Sequence, residues 1–279
     1  MWTLLAAMSA LLLGLYDVAK KKALQENGVL TVLLVATALS TLFLSPFFKL
    51  GPGEDFLKLG LKAVLVTVSW ISGMVGLKML PLTTVSTIKG SRPVFVVLLS
   101  IVLFGERLNW MQWAGILMAL AALWLLGRTS SGDGSVKARR TGFIFMAISV
   151  ATGVASALYD KYIIKGMEPL FVQCWTNLFI TLILAMCVGV KALRHNGERF
   201  KWDWTLVVVA VLITGADMLY FFALKQPDAL LSVVSVIRRA SVLVTFVVGA
   251  ILFHEKRVRA KALNMLLMAA GIILLILGS

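Results

Sequence analysis

Charge is what this chain has least of. Only 14% of its 279 residues are charged, and just 13 are Asp or Glu. A soluble domain carries about 25% charged and about 45–50% apolar residues, whereas 60% are hydrophobic here. One water-facing core cannot hide that much apolar surface, so a soluble enzyme and a disordered chain are excluded. Cysteine is nearly absent. Cys174 and Cys187 share one apolar run, and thirteen positions on a helix span about 20 Å, beyond disulfide reach. A disulfide scaffold is excluded, and both read as small buried hydrophobes. The two histidines, His195 and His254, fall in polar connections with no further His or Cys at ligand spacing. No metal or other cofactor is expected. No Gly-rich Walker A stretch occurs, so ATP does not drive this protein.

What is present is a polytopic membrane pattern. A helix needs about 20 apolar residues to cross the bilayer. Ten such runs are predicted, at 2–20, 28–48, 60–80, 82–104, 110–127, 141–165, 168–191, 202–224, 229–253 and 259–278. Short polar connections separate them: GPGEDF at 51–56, GERLN at 105–109 and NGERFKWD at 196–203. The stretch RTSSGDGSVKARR at 128–140, rich in Ser, Gly and bases, reads as a linker between halves 1–127 and 141–279. The start lacks a basic n-region, which predicts a retained first helix rather than a cleaved signal. Trp110, Trp113, Trp202 and Trp204 near span starts suit the membrane–water interface.

The net charge is +14. Nucleic acid is not an expected partner, because no basic groove with interleaved aromatics is visible. Lys and Arg concentrate in the connections after odd-numbered spans. The positive-inside rule then puts both termini outside. Compact loops and the lack of an organelle signal suggest a bacterial cytoplasmic (inner) membrane.

The halves resemble each other. Shifting by 149 positions carries Val85, Ser86, Ile88, Lys89, Phe104, Glu106 and Arg107 onto Val234, Ser235, Ile237, Arg238, Phe253, Glu255 and Lys256. Shifting the start by 143 carries Tyr16 and Asp17 onto Tyr159 and Asp160, and Ala6, Ala10 and Gly14 onto Ser149, Gly153 and Ala157. Small residues at every fourth position let helix backbones pack closely in lipid. Five spans per half make the second half enter from the opposite side. The expected fold is therefore an all-α integral membrane protein with ten transmembrane helices in two inverted five-helix repeats, an arrangement common among secondary transporters.

Four bases fall inside spans: Lys89 and Arg92 in the fourth, Arg238 and Arg239 in the ninth. At 1.5 Å per residue they lie roughly 10–15 Å deep, where each costs about 2.5–3.5 kcal/mol. Such residues mark a transport pathway by default. A dehydrated basic cavity selects an anion, with the planar arginine fork suiting carboxylate or phosphate. Asp17, Asp160 and Asp217 are too few to neutralise all four. Tyr16, Asp17, Tyr159, Asp160, Lys161, Asp217 and Tyr220 are candidates for support or coupling; the tyrosines also suit interface anchoring. Asp217 either carries a proton or holds Arg239, and the salt bridge is the expectation. Glu106 and Glu255 fall on opposite sides of the membrane by the repeat, which excludes a shared acid–base site and leaves polar contacts at helix ends.

The segments LPLTTVSTIKGSRPVFVVLLSIVLFGERLNWMQWAG and ALLSVVSVIRRASVLVTFVVGAILFHEK resemble the two halves of the drug/metabolite transporter superfamily, EamA type, over nearly the whole chain. Within it, the stretch from Lys89 through Arg92, Pro93 and Phe95, together with Arg238-Arg239, is similar to the triose-phosphate/nucleotide-sugar translocator group. That likeness implies that Lys89, Arg238 and Arg239 bind a phosphate. Arg92 stands where that group has Glu, which removes a partner for Lys89 and makes the cavity more basic. The Lys21-Lys22 pair also resembles a stretch of that group at the end of the first span.

The expected function is a non-enzymatic secondary carrier of a small phosphate- or carboxylate-bearing anion, by exchange and alternating access, as a monomer or homodimer in the lipid bilayer. The alternative is a proton-coupled exporter of amino acids, metabolites or drugs, using Asp17, Asp160 or Asp217.

Overall fold

The computed structural model describes residues 1–79, 88, 92–128, 136–194, 200–241, 243–244, 248 and 258–278. Lys89, Val85, Ser86, Phe253, Glu255, Lys256, His195 and His254 lie outside the described residues. Ten α-helices run through the rest: α1 (Trp2–Ala23), α2 (Val29–Phe43), α3 (Gly53–Met79), α4 (Arg92–Phe104), α5 (Trp110–Arg128), α6 (Val136–Ile163), α7 (Pro169–Leu193), α8 (Trp204–Lys225), α9 (Leu231–Arg238) and α10 (Val258–Leu277). A short 3-10 turn, Ser45–Phe47, follows α2. Apolar surroundings force every backbone group to bond internally, which is why runs of this composition become helices. Among the described residues, five helices contain stretches long and apolar enough to cross a membrane: Trp2–Lys20, Gly53–Gly76, Arg140–Ile163, Pro169–Leu193 and Trp204–Lys225.

Two boundaries differ from expectation for one reason: the helices outrun the hydrocarbon. α3 has 27 residues and α6 has 28, so each spans about 40 Å against a core of about 30 Å. Glu54 and Asp55 of the expected polar connection form the first turn of α3, where carboxylates meet the positive end of the helix dipole. Residues 136–140 of the expected linker likewise belong to α6.

A third difference matters more. The ninth run is not one continuous helix. α9 closes at Arg238, and the next bonds tighten to three-residue turns, Arg239 N–H to Val236 O at 2.9 Å and Ala240 N–H to Ile237 O at 2.8 Å. Helical residues resume at Ser241. The interruption falls at the arginine pair.

Each helix of one half packs on a helix of the other: α1 on α8, α3 on α6, α2 on α7, α4 on α9 and α5 on α10. The small-residue triplets lie where they were expected to help packing. Ala6, Ala10, Ser149 and Ala157 are buried. A Cβ on Gly14 would meet the Ser241 carbonyl at 2.7 Å, so α1 approaches the chain beyond α9 closely. Gly115 and Gly271 bring α5 and α10 together in the same way, each facing the other's carbonyl. Trp110, Trp113, Trp202 and Trp204 are all exposed, as the interface requires. Cys174 is buried and Cys187 half-buried, both as free thiols.

Candidate functional site: bases and carboxylates between six helices

The charged residues inside the bundle come from α1, α3, α4, α6, α8 and the end of α9, and they form two ion pairs joined by one tyrosine. Lys62 of α3 pairs with Asp160 of α6 through Nζ and Oδ1. Both residues are buried, and the Lys62 ammonium also stands 4.7 Å from the centre of the Phe221 ring. The other oxygen of Asp160 accepts the Tyr220 hydroxyl at 3.2 Å. The opposite side of this tyrosine serves the second pair. Arg238 lies 4.1 Å from the centre of the Tyr220 ring and donates Nη2 to Asp217 Oδ1 at 2.7 Å. Tyr220 and Asp217 are three apart on α8, so they share one face. Taking a charge out of water is costly unless it is paired, and these pairings explain how the two lysine and arginine side chains are tolerated at depth.

Two further arginines are held differently. Arg92, at the start of α4, donates Nη2 to the Gly153 carbonyl of α6. Gly153 makes this possible: a Cβ there would stand 2.8 Å from Arg92 Cζ and Nη1 and 2.9 Å from Ser69 Oγ. Arg239 lies within electrostatic range of Arg92 and Arg238, and of Asp17 on α1. Arg92 in turn feels Tyr220, Asp160 and Arg238. Among the described residues, this cluster brings together four bases, Lys62, Arg92, Arg238 and Arg239, and three acids, Asp17, Asp160 and Asp217.

One end of the cluster is tied down by Glu106. Gly105, with φ +63°, turns the chain sharply after α4, a conformation that favours glycine. The turn aims the Glu106 carboxylate at the N-terminus of α9, where it accepts Leu231 N–H at 2.6 Å, Ser232 N–H at 3.1 Å and the Ser232 hydroxyl. An anion suits the unsatisfied N–H groups and positive dipole end of a helix. Asn109 and Gln112 cap α5 next door: Asn109 Oδ1 accepts Gln112 N–H at 2.8 Å, and Gln112 Oε1 accepts Asn109 N–H at 3.0 Å. Lys161 is also used at this end, donating to the Ala229 carbonyl within electrostatic range of Glu106.

The sequence candidates therefore divide. Arg92, Arg238, Arg239, Asp17, Asp160, Asp217 and Tyr220 come together. Lys161 sits one layer away, against the approach to α9. Tyr16 is buried beside Lys20, whose Nζ is 5.3 Å from its ring centre. Tyr159 stacks on Tyr162 at 6.0 Å, away from the cluster. Asp217 pairs with Arg238 rather than with Arg239, because Arg238 lies over the tyrosine one turn further along α8. Lys62 is the residue that sequence reasoning missed. It is only 3% exposed. Its position ten residues into α3, within a window apolar enough to span, was the available signal. A separate surface cavity of about 380 Å³, lined by Asp55, Lys58, Tyr162 and Lys165 among others, shares no residue with the cluster. Among the described residues no group of three His, Cys, Asp or Glu could hold a metal ion.

A cluster of this kind in a lipid-facing helical bundle invites comparison with known membrane proteins. The EamA-like transporter family model matches residues 1–128 and again residues 140–277. This chain belongs to the EamA-like transporter family. It is therefore a multi-pass membrane transporter with a small-molecule substrate, and the drug/metabolite transporter resemblance holds at that level. A solved crystal structure shares the fold at TM-score 0.77 and 18% identity, over 100% of this chain and 99% of that one. No curated protein sequence matches significantly.

Proposed function

We propose that this EamA-family transporter exchanges a small phosphate- or carboxylate-bearing organic anion by alternating access. The carrying observation is the charge balance of the cluster. Lys62–Asp160 and Arg238–Asp217 are each neutral, which leaves Arg92 and Arg239 against Asp17. Among these described residues the bases exceed the acids by one, and Lys89 would add one more, so an anion carrying one or two negative charges balances the site. Flipping that uncompensated charge through a low-dielectric interior is unfavourable, which gives exchange its logic. In this reading Arg92, Arg238 and Arg239 contact the anionic group. Lys89, the repeat partner of Arg238, joins them, as the likeness to triose-phosphate/nucleotide-sugar translocators implies. Asp17, Asp160, Asp217 and Tyr220 position the bases.

The reading takes the chain as ten spans in two inverted repeats, 1–127 and 141–279, joined by 128–140. Exchanging the halves turns the α1–α8 contact into the α6–α3 contact and returns α2–α7, α4–α9 and α5–α10 to themselves, and the family model matches each half separately. Both features support two equivalent halves whose rocking opens opposite faces. The membrane is the bacterial inner membrane, with the carrier as monomer or homodimer.

The rival is a proton-coupled exporter. Two of the three carboxylates it could use as proton carriers are engaged as counter-ions of Lys62 and Arg238, which favours the anion reading. The test is unfolding of the purified protein against phosphate, sugar phosphates, phosphorylated acids, nucleotides, amino acids and cations. A ligand at a hundredfold over Kd adds about 2.7 kcal/mol of stability. Stabilisation by phosphorylated or carboxylated anions that is lost in Arg238→Ala is the expected result. Stabilisation by neutral or cationic compounds alone, with transport driven by a pH gradient, would establish the rival.

A further inference from the structure

The two ion pairs of the cluster differ in access. The Lys62 and Asp160 side chains are 4% and 8% exposed, whereas those of Arg238 and Asp217 are 19% and 29% exposed. The first pair is sealed in the packing; the second is partly exposed. The second pair is also incomplete. Arg238 reaches Asp217 through Nη2 alone, although a guanidinium can offer a carboxylate or phosphate two parallel donors. Its Nε is buried with no hydrogen-bond partner, and an unsatisfied buried donor is costly. The Arg238 side chain also has a support other than Asp217. The Tyr220 ring supports it at 4.1 Å, and Asp160 holds the Tyr220 hydroxyl.

We propose that Asp217 is a built-in stand-in for the transported anion, holding Arg238 while the site is empty and yielding it when the anionic group of the substrate binds. This rests on the anion reading above and adds a role to a residue given only a positioning part there. The incoming group brings oxygens enough to use both Nη2 and Nε, which a single Asp217 oxygen does not. Displacing Asp217 also removes a side-chain hydrogen bond between α8 and α9 and leaves the contact of Arg238 with the Tyr220 ring as their remaining tie there. Binding is then coupled to a loosening of the two helices, which is how a ligand can favour one arrangement of a carrier over another. The internal competitor lowers apparent affinity and lets the empty site persist without a bare charge at Arg238.

The experiment uses the full-length protein in detergent. Inorganic phosphate and, in parallel, acetate are titrated at ionic strength held constant with chloride, and the unfolding temperature is followed. Wild type, Asp217→Asn, Asp217→Glu and Arg238→Ala are compared. Expected is a half-saturating concentration about fivefold or more lower in Asp217→Asn than in wild type, and no specific response in Arg238→Ala. Equal half-saturation in wild type and Asp217→Asn, with the response still lost in Arg238→Ala, would overturn the stand-in role and leave the anion site intact. No anion-specific response in wild type or Asp217→Asn, or an undiminished one in Arg238→Ala, would remove the anion reading itself. Should Asp217→Asn not fold, Asp217→Glu decides: it keeps the charge but lengthens the side chain by one methylene. A shifted half-saturation supports the competition and an unchanged one overturns it.

Discussion

Ser69 of α3 and Ser149 of α6 exchange hydrogen bonds: each hydroxyl donates to the other's backbone carbonyl at 2.7 Å. The exchange requires the two helices to touch backbone to side chain, which only small residues allow. One turn from Ser149, on the same face of α6, sits Gly153 with Arg92 lodged against it. The close approach of α3 and α6 thus fixes the floor on which Arg92 rests. Replacing Ser149 by Ala removes one interhelical bond, worth about 0.6 kcal/mol in membrane interiors. Ser149→Leu adds volume to a closed contact at about 1–3 kcal/mol. Thermal unfolding in detergent is expected to rank wild type, Ser149→Ala and Ser149→Leu in falling order. Equal unfolding temperatures for Ser149→Leu and wild type would show that the two helices do not pack this closely.

Gly153→Ala probes Arg92 more directly. A methyl group 2.8 Å from Arg92 Cζ and Nη1 displaces the guanidinium from the Gly153 carbonyl. A hydrogen bond to a charged group contributes about 1.5–3 kcal/mol, so an apparent substrate affinity weaker by about tenfold or more is expected. Uptake by proteoliposomes should show the change in KM. Ala10→Gly, at the matching position of α1, should leave KM near wild type. A KM for Gly153→Ala equal to wild type would release Arg92 from the site.

Much of this was legible in the sequence, for identifiable reasons. Long apolar runs must become helices in lipid, so the helices and the clustering of Arg92, Arg238 and Arg239 in the interior followed from hydropathy and depth alone. The α9 interruption did not, because residues 236–244 contain no Gly or Pro to announce it. Lys62 was hidden for another reason. A single lysine in an apolar helix has no local partner, and its counter-ion Asp160 is 98 positions away. The pairing of Asp217 with Arg238 rather than Arg239 depends on where the Tyr220 ring stands, which only three-dimensional packing sets.

The Lys62–Asp160 pair lends itself to a double-mutant cycle. Removing one partner of a buried pair leaves the other charge uncompensated, at a cost of about 3–5 kcal/mol. Lys62→Met and Asp160→Leu are each expected to unfold well below wild type. Replacing both together should recover most of the loss, since an apolar pair of similar volume is often as stable. Transport should recover less than stability does, because Tyr220 loses its acceptor and with it the support of Arg238. Strict additivity of the two single losses would mean that Lys62 and Asp160 do not interact.

Glu106 is the remaining tie between the loop after α4 and the arginine-bearing helix. Its carboxylate takes up two N–H groups and a hydroxyl at the first turn of α9, and α9 leads in two turns to Arg238 and Arg239. Glu106→Ala orphans all three donors, and each lost bond to a charged group is worth about 1.5–3 kcal/mol. Some donors find water, so a net loss of about 3 kcal/mol is expected. Glu106→Gln keeps one acceptor oxygen but loses the charge and should fall between Ala and wild type. Because α9 ends at Arg238 and leads directly into Arg239, the two variants should also weaken anion-dependent stabilisation in the same order. Lowered stability with an unchanged anion response would reduce Glu106 to a fastener of the loop, while a fall in both would make the first turn of α9 part of how the arginines are aimed.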